Sequence, residues 1–275
     1  MLLAEPPRTR FDLHFRLAGF AVRVHPMFWV IGLILGIQGG AGPAETGTWV
    51  ACMFVSILIH ELGHALLIRR YGWSSRIILY HFGGLATFDG PETYLPTYNA
   101  NESSPKAMIL ISAAGPGAGF LLAALVAGMV FLGGGQVTLH ASFPIFWDVT
   151  GIENFRLLIL IRDLLFINIF WGIMNLLPVY PLDGGQIARE LLSLRNPRDG
   201  IERSLLLSTA TGVVIAVACL MGLDGGLFVA VLFGLLAFQS YKMLQALRAH
   251  GGHGGSGGKG RQGGYDEADD DWWRK

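Results

Sequence analysis

From Trp49 to Ile68 the chain runs for 20 residues with almost no polar side chain, except at SILIHELGHALLI, where His60, Glu61 and His64 stand together. Twenty apolar residues are the length of a helix that crosses a bilayer. Ionisable groups at membrane depth cost roughly 2.5–3.5 kcal/mol each on insertion scales, so three in one span need a partner. The spacing H-E-x-x-H supplies a reason. On a helix it puts both imidazoles on one face, one turn apart, where they can grip one Zn²⁺ with the glutamate beside them as a general base. The blander reading is a trio that pairs within itself, which leaves the insertion cost largely uncompensated. Helix rise places His64 roughly 6 Å and His60 roughly 12 Å inside the end marked by Ile68.

The rest of the chain agrees with a membrane setting. Of 275 residues, 52% are hydrophobic and 15% charged, against about 25% charged in soluble domains, and the mean hydropathy is +0.48. The expected fold class is an α-helical polytopic membrane protein. About six transmembrane helices are expected, near residues 27–42 (short), 49–68, 107–132, 164–181, 205–223 and 227–244, with an interfacial helix from Ile152 leading into the fourth. They make an integral membrane domain over residues 1–250, followed by a flexible Gly-rich acidic tail over 251–275. A net charge of zero gives no basic field, so no nucleic acid partner is expected. Cys52 and Cys219 each sit inside an apolar run and read as packing residues. The N-terminal stretch MLLAEPPRTRFDLHF has no continuous apolar h-region, so no removable signal peptide is expected.

The basic residues orient the bundle. Of the 20 Lys and Arg, only Arg156 and Arg162 fall outside the N-tail, the second-to-third loop, the fourth-to-fifth loop and the C-tail. With six spans this alternation places both termini in the cytoplasm, and the expected location is a bacterial cytoplasmic membrane. Two connections on that side read as strands. FDLHFRLAGFAVRVH alternates with period two around Ala18–Gly19, a hairpin signal, and RIILYHFGGLATF is β-rich with Gly83–Gly84 in the middle. An open sheet edge cannot face lipid, so these strands are expected to pair into a small membrane-associated β-sheet on the cytoplasmic side.

Two histidines need a third ligand and an open position for water. Asp163 stands beside Arg162 at the far end of the fourth span and reads as an interfacial ion pair. Asp183, in NLLPVYPLDGG, lies at the same end as His60 and His64 and is the favoured ligand. Its competing role is N-cap of a helix beginning GGQIAREL. Pro178 and Pro181 break the span, and Gly184–Gly185 allow a sharp turn; irregular backbone at this depth is tolerated where it lines a wet cavity. Asn168, Gly172, Asn175 and Val179 share a stripe on the fourth span. Asn168 reads as an interhelical hydrogen bond. Asn175 admits two readings, such a bond or a donor to substrate backbone or a developing oxyanion. Gly115 and Gly119 in SAAGPGAGF form a small-xxx-small pair that lets another helix approach, the expected one being that which carries His60. His14, His25 and His81 flank the strands and stay outside the site.

Assembled, these residues resemble the site-2 protease family of intramembrane zinc metalloproteases. The matching pieces are HELGH in the second span, FGG at Phe82–Gly84, AGPGAGF in the third span and NLLPVYPLDGG ending the fourth, a stretch from about Phe20 to Gln186. The resemblance implies one zinc ion on His60, His64 and Asp183, Glu61 as the catalytic base, and Asn175 assisting with substrate. It implies cleavage of single-span or membrane-tethered proteins, in or near their transmembrane segments, in regulated intramembrane proteolysis. After the sixth span only the Gly-rich tail remains, so the expectation is a short form without PDZ or CBS domain. Gly83 and Gly84 are candidate substrate-binding positions, because an unwound substrate needs backbone partners and glycines leave a strand edge unblocked; a plain turn is the alternative.

A membrane metal transporter, or a metal-binding protein without proteolysis, is the competing class. It would stage ligands across the membrane depth, whereas these cluster at one level. An anchored protease working in water would carry HExxH on an amphipathic helix. A catalytically dead relative would lack one of the site residues, and none is missing.

Overall fold

The computed structural model describes residues 6–38, 42–80, 83–88, 104–140, 146–194, 196–222 and 226–251. The expected tail beyond residue 251 and the positions of His81 and Phe82 lie outside the described residues.

The chain opens with strands β1 (Leu13–Leu17) and β2 (Phe20–Val24), then helices α1 (Pro26–Gln38) and α2 (Pro43–Arg70). Strands β3 (Ser75–Tyr80) and β4 (Gly83–Phe88) follow, then α3 (Pro105–Leu132). Strands β5 (Gln136–His140) and β6 (Phe146–Thr150) lead into α4 (Phe155–Asn175), and α5 (Asp183–Ser193), α6 (Pro197–Leu220) and α7 (Gly226–Gly251) complete the described chain. Five of these helices, α2, α3, α4, α6 and α7, are long and apolar enough to cross a membrane. At about 1.5 Å per residue, α1 spans only about 20 Å, short of a hydrocarbon core of about 30 Å. The first expected span therefore exists as a helix, but as a short one that ends at Gln38.

Local signals explain the helix limits. Proline occupies the first helical position of α2, α3 and α6, where a missing N–H costs nothing. In α2 the Glu45 carboxylate accepts a hydrogen bond from the Gly42 N–H at 3.0 Å, and Arg69 and Arg70 lie in the last turn, where positive charge is favoured. The Asn154 side chain caps α4 by accepting from the Leu157 N–H at 3.1 Å. That cap makes α4 one continuous helix from Phe155, so the separate interfacial helix expected from Ile152 is absorbed into it. The helix also stops earlier than residue 181. Pro178 disfavours helical backbone at Leu177 and has no N–H to offer, and α4 ends at Asn175. A turn containing a cis Tyr180–Pro181 bond then leads into α5.

The two strand segments do join. The sheet runs β1-β2-β3-β4, with β1–β2 and β3–β4 antiparallel and β2–β3 parallel. Ala18 (φ 52°) and Gly19 (φ 87°) both adopt left-handed backbone, the geometry of a tight two-residue hairpin. The parallel pairing of Val22 with Ile77 and Val24 with Leu79 brings together strands separated by α1 and α2. Those side chains pack with Phe28, Cys52, Met53, Ile57, Leu58 and Ala65, so the sheet is seated on α2. The expected packing role of Cys52 holds; both cysteines are free thiols. The β5–β6 hairpin joins α3 to α4 at the other end of the bundle and was not expected from the sequence.

Candidate metal centre

Three elements build the centre. Helix α2 carries His60, Glu61 and His64, all buried, and the start of α5 brings buried Asp183 to them. His60 Nε2 lies 3.2 Å from Asp183 Oδ2, His64 Nε2 lies 3.3 Å from Asp183 Oδ1, and the two Nε2 atoms are 3.2 Å apart. Glu61 shares the cluster, with a carboxylate oxygen within 4.8 Å of both imidazoles.

The orientation of His64 is set by α3. Its Nδ1 donates to the Ile111 carbonyl at 2.7 Å, and a carbonyl can only accept, so a proton sits on Nδ1 and, in the neutral ring, Nε2 is the nitrogen free to bind a metal. One turn along α3, Gly115 leaves the room for this ring: a Cβ there would overlap His64 Nε2, Cε1 and Cδ2. The α2–α3 contact is equally close at Gly63, whose Cβ would overlap the Ala114 carbonyl. Gly119 instead faces α4, with its Cβ position 3.5 Å from Asn168. The expected small-residue approach to the histidine helix is therefore made by Gly115 and not by Gly119.

Asp183 is the first residue of α5; Leu182 occupies the N-cap position and makes no side-chain cap. The capping role weighed for Asp183 is thus not the one it fills. Gly184 and Gly185 do not form a sharp turn either. Both are helical, and a Cβ on Gly184 would overlap the Leu176 carbonyl, while one on Gly185 would overlap the Tyr180 backbone. Their service is close approach: α5 presses against the segment that follows α4.

A divalent cation fits this donor set. In the neutral ring, His64 Nε2 would set a lone pair against a carboxylate oxygen at 3.3 Å, and Asp183 Oδ2 is buried without a hydrogen bond of good geometry. Such atoms repel unless positive charge lies among them. Ligands about 2.0–2.1 Å from a tetrahedral zinc stand roughly 3.3 Å from one another. The two Nε2 atoms, 3.2 Å apart, and the Asp183 oxygen next to each, Oδ2 at 3.2 Å from His60 and Oδ1 at 3.3 Å from His64, have the spacing of neighbouring ligands at such an ion. Asp183 has an oxygen within 3.3 Å of each imidazole Nε2 and is the candidate third donor, with Glu61 adjacent on α2.

Of the two asparagines on α4, Asn168 donates to Ser56 Oγ at 2.8 Å, one turn before His60, and so locks α4 to α2. This is the interhelical bond expected of it. Asn175, the last residue of α4, is buried and its Nδ2 donates to the Trp171 carbonyl of its own helix at 3.0 Å. Gly83 and Gly84 are not a turn. They are the first two residues of β4, paired with Tyr80 and Leu79. His25 stays out of the centre: its Nδ1 accepts from the Met27 N–H at the start of α1.

Comparison with known proteins places this geometry. The profile of Peptidase family M50 matches residues 48–160 and 153–219, which cover both motifs of the centre. The chain is 30% identical over 222 residues to the Mycobacterium tuberculosis protein Rip3, across 76% of this chain and 50% of that one. It is 28% identical to zinc metalloprotease MJ0392 of Methanocaldococcus jannaschii over 181 residues, across 65% of this chain and 44% of that one. It spans about half the length of these curated relatives. A solved Site-2 Protease from Methanocaldococcus jannaschii shares the fold, with a TM-score of 0.53 at 20% identity, covering 85% of this chain and 95% of the other. The chain belongs to peptidase family M50, the site-2 protease family, and is an integral membrane protein.

Proposed function

We propose that this protein is an intramembrane zinc metalloprotease that hydrolyses peptide bonds in or near the transmembrane segments of single-span or membrane-tethered proteins. The observation that carries the reading is the buried cluster of His60, His64 and Asp183 inside a membrane-length helix bundle, with Glu61 on the residue after His60. When bound, zinc supplies Lewis acidity and lowers the pKa of water toward neutrality. Glu61 takes the proton of the attacking water and returns it to the leaving amine. A carboxylate one residue from a ligand histidine suits that role and is not needed for mere metal storage. Asn175, whose Nδ2 now bonds the Trp171 carbonyl, is assigned the role of donor to the substrate backbone or the developing oxyanion once released.

Substrate must be unwound, and its freed N–H and C=O groups need partners. Strand β4 is one of the two outer strands of the sheet among the described residues, the other being β1. Two residues separate Tyr80 from Gly83, so that pair closes the hairpin with hydrogen bonds. The next pair, Leu79 with Gly84, is of the non-bonded kind, and Gly84 therefore turns its N–H and C=O outward. This supports β-addition of substrate along β4. The basic residues favour both termini in the cytoplasm, with β4 and the metal centre toward that face.

Membranes of cells carrying the wild-type protein or Glu61→Gln provide the test. Single-span precursors should accumulate only with the variant and name the substrates. Identical membrane proteomes would count against proteolysis and return the reading to metal binding or transport.

A further inference from the structure

Asp183 reaches the centre from a segment with little regular structure of its own, and something must hold that segment in place. Between α4 and α5 the residues Pro178 and Pro181 have no N–H, and the segment's internal bonds are few: Val179 N–H to the Leu177 carbonyl at 2.7 Å and Leu182 N–H to the Val179 carbonyl at 2.8 Å. The Tyr180 peptide groups are satisfied from outside. The Tyr180 N–H donates to Ser208 Oγ of α6 at 3.0 Å, and Ser240 Oγ of α7 donates to the Tyr180 carbonyl at 3.3 Å. Ser208 in turn donates to the Ser204 carbonyl at 2.8 Å, which fixes its hydroxyl rotor. Both serines are almost completely buried, and next to them Val179 is enclosed with Ala216, Phe233 and Leu236 of the same two helices.

We infer that Ser208 and Ser240 are positioning residues for the metal: the α6–α7 hairpin, which supplies no ligand, clamps the Tyr180 peptide from both sides and so sets where Asp183 stands. The transmission is short and stiff. Gly185 packs its backbone onto Val179 and Tyr180, Gly184 packs onto Leu176 and Leu177, and Gln186 Nε2 donates to the Pro181 carbonyl at 3.1 Å. A shift at Tyr180 therefore moves the first turn of α5, and Asp183 is its first residue. A partly buried peptide left without its serine partners will move to find others.

This inference rests on the metal reading of the centre and is tested by zinc affinity. Chelator competition on the purified full-length protein compares wild type, Ser208→Ala, Ser240→Ala, Ser208→Thr and Ser204→Ala. Ser204 is a control on the same helix face, because its hydroxyl donates only to the Ile201 carbonyl at 2.8 Å. Supporting groups of metal ligands typically change affinity roughly 10–100-fold when removed. Ser208→Ala and Ser240→Ala should each weaken zinc by that factor, Ser208→Thr should restore it, and Ser204→Ala should match wild type. A general loss of stability would lower the melting temperature of the metal-free protein without this pattern in affinity. Should Ser208→Ala fail to fold, Ser240→Ala carries the test, because a carbonyl short of one partner is better tolerated than an orphaned N–H. Wild-type affinity in folded alanine variants would overturn the clamp alone. A wild-type protein that takes up no zinc would overturn the metal reading, and the clamp with it.

Discussion

Replacing Gly115 by alanine adds one methyl group and should cost zinc binding. The new Cβ would overlap three atoms of the His64 ring, Nε2, Cε1 and Cδ2. The ring has little freedom to step aside, because Nδ1 is held by the Ile111 carbonyl at 2.7 Å on the same face of α3. Overpacking of this kind costs about 1–3 kcal/mol, and losing the Nδ1 bond adds about 1 kcal/mol. The better helix propensity of alanine returns only about 0.5–1 kcal/mol. The balance is a loss of about 1–3 kcal/mol, concentrated on a metal ligand. At about 1.4 kcal/mol per factor of ten, zinc affinity should fall roughly tenfold to a hundredfold. Gly117→Ala is the matched control, since no atom lies within 4 Å of its Cβ position; it should leave zinc affinity unchanged. Chelator competition on both purified variants reads the difference. Equal affinity for Gly115→Ala and Gly117→Ala would refute the placement of His64 against α3.

Further expectations can be checked with equally simple variants. Asp183→Ala should lower the zinc content of purified protein roughly to background by metal analysis, whereas Asp163→Ala should leave it at the wild-type value. Gly84→Pro should cut turnover far more than Gly84→Ala at equal zinc content, because proline removes the outward N–H of β4 and alanine keeps it; equal turnover would exclude this edge as the docking strand. After replacement of Cys52 and Cys219, a cysteine at Ser104 should be shielded from an impermeant thiol reagent in intact cells and one at Ser142 should react. The reverse pattern would invert the topology.

The parts of the fold that follow from local pattern were legible in the sequence. HELGH in an apolar run gave α2 and the metal-binding face, and the Ala18–Gly19 pair gave the first hairpin. Gly115 read correctly as a point of close approach to the histidine helix, although its partner Gly119 turned out to serve α4. What stayed hidden depends on contacts far apart in sequence. The parallel register of β2 on β3 spans α1 and α2 and has no local signal. The β5–β6 hairpin did have a local signal on one strand: QVTLH alternates polar and apolar residues, whereas its partner FWDVT opens on two aromatics. The continuation of α4 from Phe155 reflects the Asn154 cap, which lies upstream of the apolar run, and its stop at Asn175 comes just before Pro178, whose break was legible although the last helical residue was not. Ser204 and Ser208 stand four apart on α6, a spacing that marks one helix face, yet serines in membrane helices commonly bond their own backbone. Only the fold shows that Ser208 also receives the Tyr180 N–H.

The central claim is that Glu61 drives hydrolysis at a zinc site inside the bilayer. Its most direct test is cleavage of a single-span substrate by the purified protein in lipid vesicles, with the products weighed by mass spectrometry. Wild type should release two fragments whose masses place the cut within or beside the transmembrane segment. Glu61→Gln should contain the same zinc and cleave at least a hundredfold more slowly, the lower end of what a positioned acid–base group contributes. Undiminished cleavage by a zinc-replete Glu61→Gln protein would contradict the account.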